Sequence, residues 1–214
     1  AVMLVSVLAL ASFAPVMAQD VPESVCLITD VRRVNDGTFN QFAYEGMLRA
    51  VADFGLDDTF IETTAPTDYE ENINTCIDEG FDIIVTVGFL LTDATLAAAD
   101  ANPDVFFIGV DQFIVEGPAN MVGLQFREDQ MGYAMGVLAA LTTESGVVGG
   151  VLGEEIPPVV KFGNGYINGA VASGIAEENI LTVYIDSFIA PERGAAAAEQ
   201  FIGEGADVIF GAGG

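Results

Sequence analysis

The sequence predicts an α/β protein of parallel sheets in two similar lobes, and three observations carry that reading. From Ser24 onward, short apolar runs alternate with amphipathic helical stretches, the pattern of successive βαβ units. The strand candidates are apolar almost throughout, as expected of parallel strands covered on both faces. The run Asp78-Glu-Gly-Phe-Asp-Ile-Ile-Val-Thr-Val-Gly88 matches Gly203-Glu-Gly-Ala-Asp-Val-Ile-Phe-Gly-Ala-Gly213, sharing Glu-Gly, Asp, Ile and the last Gly at one constant offset. Such helix-end, strand and glycine-turn units also arise by convergent packing. Two related lobes joined near residues 126–145 are the simplest architecture.

The elements follow in order. The first strand is residues 25–29. The next helix places Phe39, Phe42, Ala43, Met47, Ala50, Val51 and Phe54 close to the i, i+3, i+4, i+7 template. Thr38 with Gln41 predicts a capping box at its start, and Gly55 predicts its stop. A strand at 59–62 follows. Thr67 with Glu70 predicts a second box, opening a helix that turns Ile73, Cys76 and Ile77 inward and ends at Gly80. Then come a strand at 83–87, a helix at 92–101 stopped by Asn102-Pro103, and strands at 105–110 and 121–126. The next helix presents Met131, Ala134, Met135, Leu138 and Ala139 on one face. Beyond it the pattern restarts: strand 147–152, helix 158–173, strand 180–185, helix 191–202 opened by proline, strand 208–210.

Composition removes several function classes. The 214 residues hold 32 Asp+Glu against 6 Lys+Arg, a formal charge of −26, which repels phosphate backbones and anionic lipid surfaces alike. With no histidine there is no Ser-His-Asp triad, no Cys-His dyad and no imidazole metal site. A chain that is 51% hydrophobic is too apolar for acidic disorder. The acid excess reads as solubility or salt adaptation.

Residues 2–17 are uncharged and rich in Ala, Val and Leu, and they lead into Val16-Met17-Ala18 before Gln19-Asp20. That is the pattern of an export signal over residues 1–18, cut at its own start, with a first lobe at 19–126 and a second at 127–214. The close, Gly211-Ala212-Gly213-Gly214 directly after a strand candidate, reads as a cut inside a larger fold. Export permits a disulfide between Cys26 on the first strand and Cys76 on the helix that crosses over it in a sheet ordered 2-1-3. Nothing in the spacing demands that bond, and two buried free thiols are the slightly favoured alternative.

In open α/β sheets ligands sit beyond the carboxyl ends of the strands. Asp30, Gly88 and Asp111 fall there, after the first, third and fourth strands. Each aspartate can accept hydrogen bonds from a ligand or cap the next helix, and a glycine lets a ligand approach the backbone. The long loop Asp30-Val-Arg-Arg-Val-Asn-Asp-Gly-Thr-Phe-Asn40 is rich in donors and acceptors, and Phe39 is either the first core residue of its helix or a ring that stacks on a planar ligand.

The run Asn-Asp-Gly-Thr-Phe-Asn-Gln-Phe-Ala-Tyr-Glu-Gly-Met over 35–47 resembles the signature of the basic membrane protein family, the substrate-binding components of ABC transporters that include purine nucleoside receptors. Val87-Gly-Phe89, Ile108-Gly-Val-Asp111, Phe126-Arg-Glu-Asp-Gln-Met-Gly-Tyr-Ala-Met-Gly136 and Val159-Val-Lys-Phe-Gly-Asn-Gly-Tyr-Ile-Asn-Gly-Ala170 are similar too, in order, across the segment after the export signal. The resemblance implies a type I periplasmic-binding fold, two Rossmann-like lobes closing on a nucleoside-like solute, with the second lobe incomplete here. It implies hydrogen bonds to the ligand from Asp30 and Asp111, and stacking on Phe39 and, less securely, Phe188. It also implies that Asn35, Asp36 and Asn40 touch the ligand or shape the loop beside it. A non-enzymatic, exported monomer without metal or cofactor is expected, handing its ligand to an ABC permease in the membrane. Ala18-Gln19 stands where a lipobox cysteine is expected, which speaks against lipid anchoring. Ligand contacts near the ribose are expected from sequence beyond Gly214. The alternatives are a receptor of the same fold for a flavin, sugar or amide, or an α/β enzyme, against which stands the absence of a G-x-G-x-x-G run and a P-loop.

Overall fold

A computed structural model describes residues 21–213, so the expected export segment lies outside the described residues. The first lobe runs β1 (Ser24–Ile28), α1 (Phe39–Phe54), β2 (Asp57–Ile61), α2 (Tyr69–Asp78), β3 (Ile83–Val87), α3 (Thr92–Ala101), β4 (Phe106–Val110) and β5 (Met121–Leu124). Its strands form one parallel sheet in the order β2-β1-β3-β4-β5. Helix α4 (Glu128–Thr142) leads to β6 (Val148–Leu152), α5 (Pro157–Ala172), β7 (Ile180–Tyr184), α6 (Pro191–Gly203) and β8 (Val208–Ala212), whose strands pair in parallel as β7-β6-β8.

Alternation along β1 builds two cores on opposite faces of the first sheet. Cys26 and Ile28 join Ile73, Cys76, Leu91 and Phe107 under α2 and α3, while Val25 and Leu27 join Met47, Val85 and Val87 under α1. Cys26 and Cys76 are disulfide-bonded, with Cα atoms 6.0 Å apart, so the free-thiol alternative is overturned. The order β2-β1-β3 lays α2 over β1, and that crossing supplies the geometry which spacing alone could not demand.

The internal match corresponds to equivalent places in the two sheets. Gly80 and Gly205 are both left-handed, with φ of 84° and 104°, ending the helices that precede β3 and β8. Asp82 accepts hydrogen bonds from the backbone N–H groups of Glu23 and Ser24, at 2.8 and 3.1 Å, at the entry to β1. Asp207 does the same for Glu144 and Ser145, at 2.7 and 2.8 Å, ahead of β6. Hydrogen bonds from Glu23 and Ser24 hold the Asp82 carboxyl below its ordinary range, and bonds led by the Thr143 hydroxyl bring Asp207 down to about 2.

Three local expectations are corrected. Neither predicted capping box forms: Asp36 caps α1, its Oδ1 accepting from the N–H groups of Thr38 and Gln41, while Asp68 accepts from the Ala65 N–H at 2.9 Å ahead of α2. The fifth strand stops at Leu124, leaving Phe126 in the connection. The buried face of α4 is Glu128, Gly132, Gly136 and Ala139, whereas Met131 and Leu138 are exposed. Glycine cannot contribute apolar side-chain area, so a periodicity count passes over it; here it admits a neighbouring backbone. A Cβ on Gly132 or Gly136 would drive into the carbonyl oxygens of Phe162 and Tyr166, and one on Gly165 or Gly169 of α5 into those of Asp129 and Tyr133.

Candidate functional site

The carboxyl ends of β1, β3 and β4 meet the start of α5 and the loops after β6, β7 and β8 around a cleft of about 320 Å³. Asp30, Asp36, Phe39, Gly88, Asp111 and Phe188 all line it. Asn40 is fully buried behind it, and Asn35 is exposed and outside its lining. A larger apolar cavity of about 850 Å³ lies beside α1 over β3 and β4. It is lined mainly by aliphatic and aromatic groups, whereas the cleft has the convergent polar groups that orient a ligand.

Asp30 is held through both its side chain and its backbone. Its Oδ1 accepts from Asn40 Nδ2 at 2.7 Å and from the Arg32 N–H at 3.0 Å, and its own N–H donates to Asn40 Oδ1 at 3.3 Å. Asn40 also donates to Asp36 Oδ2 at 3.1 Å. Asn40 thus joins the two carboxylates, and both act on the loop between β1 and α1. Burial raises the pKa of Asp30 despite these hydrogen bonds. Burial pushes Asp36 up as well, but the backbone donors of Thr38, Gln41 and Asn40 together hold it below its usual value.

Gly88 has φ of 106°, a backbone conformation that favours glycine, and it turns the chain at the end of β3 beside Asp30, whose Cβ a side chain here would meet at an ordinary contact distance of 3.4 Å. Asp111 is left-handed, with φ of 60°, turning the chain sharply after β4. Burial, then the neighbouring Glu128 carboxylate, pushes its pKa up to about 7 against the pull of Lys161. Glu128 is itself buried at the start of α4, 3.5 Å from the Lys161 Nζ on α5. Sequence reasoning did not single out Glu128 and Lys161 as a pair; a lone lysine in a quoted motif was the available signal.

The aromatic residues frame the space. Phe39 packs edge-on against Phe126, ring centres 5.8 Å apart, and keeps 39% of its surface exposed. Phe188, beyond β7, lies so close over Gly153 that a Cβ there would collide with its ring. Phe89, Met131, Val159 and Phe162 add apolar walls that spacing did not reveal, because they come from separate elements.

Two parallel-sheet lobes with a cleft at their strand ends define the class: this is a periplasmic-binding-protein fold. A solute-binding protein of an ABC transporter system from Aeropyrum pernix K1 is similar in structure, with a TM-score of 0.78 and 28% identity, over 90% of this chain and 55% of that one. The family model described as ABC transporter substrate-binding protein PnrA-like, Bmp, matches residues 24–214, and the chain belongs to that family. Among its relatives is the ABC transporter nucleoside-binding protein BmpA of Lactococcus lactis subsp. cremoris, 30% identical over 188 residues, 86% of this chain and 53% of the relative. Basic membrane protein A of Borreliella burgdorferi is 29% identical over 200 residues, covering 92% of this chain and 58% of its own. The chain therefore spans little more than half the length of these relatives.

Proposed function

We propose that the protein is the extracytoplasmic receptor of an ABC transporter and captures a nucleoside-like solute, most naturally a purine nucleoside, between its lobes. The observation that carries this is the meeting of two carboxyl groups, Asp30 and Asp111, with two phenylalanines, Phe39 and Phe188, around one cleft. Its volume of about 320 Å³ lies at the lower end of the roughly 300–1,000 Å³ range of small-molecule sites. A planar base gains by desolvation against the rings, and its polar edge gains direction from the carboxyl groups. The name of the Lactococcus lactis relative agrees with a nucleoside. On this reading the protein is exported, performs no covalent chemistry and delivers its ligand to a membrane permease.

A thermal-shift screen of the complete natural polypeptide against nucleosides, nucleobases, flavins and sugars tests the ligand class, since a ligand that binds only the folded state raises the midpoint. Purine nucleosides are expected to shift it. Asp30→Asn retains an acceptor for Asn40 and Arg32 but replaces one carboxylate oxygen with a donor. Calorimetry is then expected to show at least a roughly tenfold weaker affinity, about 1.4 kcal/mol. Unchanged affinity would remove Asp30 from recognition, and a response confined to sugars or flavins would overturn the ligand.

A further inference from the structure

Arg32 reaches across the cleft. Its guanidinium Nη2 donates to the carbonyl oxygen of Phe188, which belongs to the other lobe, 156 residues further along the chain. Its own backbone N–H donates to Asp30 Oδ1. One residue therefore contacts both a carboxylate and the loop bearing an aromatic ring of the candidate site, and among the described residues Arg32 is the only cation in a lining that also holds Asp30, Asp36 and Asp111. In a chain with six basic residues that position stands out.

The Phe188 loop is otherwise held from within its own lobe. The N–H groups of Ile185 and Asp186 both donate to the Gly153 carbonyl at 3.1 Å. Arg193 Nη1 donates to the carbonyls of Ile185 and Asp186, at 3.2 and 3.3 Å. Asp186 turns the chain in the left-handed region, with φ of 51°. The Phe188 carbonyl takes its hydrogen bond from the opposite lobe. We propose that Arg32 is a positioning residue, a tether between the Asp30 loop and the Phe188 loop that sets the Phe188 ring against the bound solute and holds the lobes together. A carbonyl accepting from a guanidinium forms a charge-assisted bond, stronger than a neutral one, and this one is partly buried.

The ligand part rests on the function proposed above, whereas the tether itself does not, and the experiment separates them. In the complete natural polypeptide, with Cys26–Cys76 oxidised, spin labels on cysteines introduced at exposed Glu71 and Glu199 report the distance between the lobes without ligand. Arg32→Ala is expected to broaden and lengthen that distribution, Arg32→Lys to retain most of it, and Arg33→Ala, at the exposed neighbour, to leave it unchanged. With inosine as probe, Arg32→Ala is expected to speed dissociation by roughly ten- to a hundredfold. A distance distribution unchanged by Arg32→Ala overturns the tether. A broadened distribution in a protein that does not bind inosine upholds the tether and counts against the nucleoside reading alone. Should Arg32→Ala not fold, Arg32→Gln, which keeps donors on a shorter arm, is read against the same two outcomes.

Discussion

Residue by residue, the titration of Asp111 has a definite sign. Its pKa is raised from 3.8 to about 7 on folding, first by burial and then by Glu128. The unfolded chain releases that proton near pH 4, so the stabilisation is complete below about pH 4 and is lost as pH rises through about 7. Replacing the acid by its neutral isostere, Asp111→Asn, removes this loss. Urea unfolding between pH 4.5 and 8 is expected to show the wild type losing stability relative to the variant as pH rises; parallel profiles would mean that Asp111 ionises as it does in the unfolded chain. Asp30, Gly88 and Asp111 could be found from sequence because strand ends are legible in apolar runs and the residues after them can be counted. The Asn40 bridge, the capping role of Asp36 and the Glu128–Lys161 pair depend on side-chain geometry across a loop or between helices, which no spacing encodes.

Among the elements, the pairing of α4 with α5 shows where periodicity misleads. Counting apolar residues points to the Met131 and Leu138 face, yet the buried stripe runs through Gly132 and Gly136, which face Phe162 and Tyr166. The helices approach by removing side chains rather than interlocking them, and both partners carry glycines four residues apart, at 132 and 136 and at 165 and 169. Gly136→Val has no room without separating the helix backbones. Overpacking of this kind costs about 1–3 kcal/mol or more, and a clash with backbone belongs at the upper end. Thermal unfolding should show a midpoint several degrees lower, while the exposed Gly203→Ala, whose Cβ meets nothing, should be near neutral. Equal midpoints for the two variants would mean that α4 and α5 are not closely apposed. The strands themselves, by contrast, were legible as short apolar runs between helices, whereas their order was only assumed from a doubly wound sheet; both lobes adopt the 2-1-3 start.

For the molecule as a whole, charge has to be weighed against the fold it sits on. The apolar strands and the internal match that sets Asp82 against Asp207 made the two-lobe plan readable, but they say nothing about why the chain carries 32 acidic residues. Among the described residues only two ion pairs form, Arg127 with Asp129 and Lys161 with Glu128, so nearly all the carboxylates lack a cationic partner. A net charge of −26 on a compact body is self-repulsive, and unfolding relieves that repulsion by spreading the charges apart. Salt weakens it over a Debye length that falls from about 30 Å at 0.01 M to about 3 Å at 1 M. The folded state, with its charges closer together, gains more from this screening than the unfolded chain. The unfolding midpoint is therefore expected to rise steadily from low salt to molar sodium chloride, most steeply at the low end where screening changes fastest. Raising the salt should also weaken the exposed Arg127–Asp129 pair, but one solvated contact is too weak to reverse the trend. A midpoint independent of salt would show that the carboxylates are already screened or too widely spaced to repel, and salt adaptation would then not explain the composition.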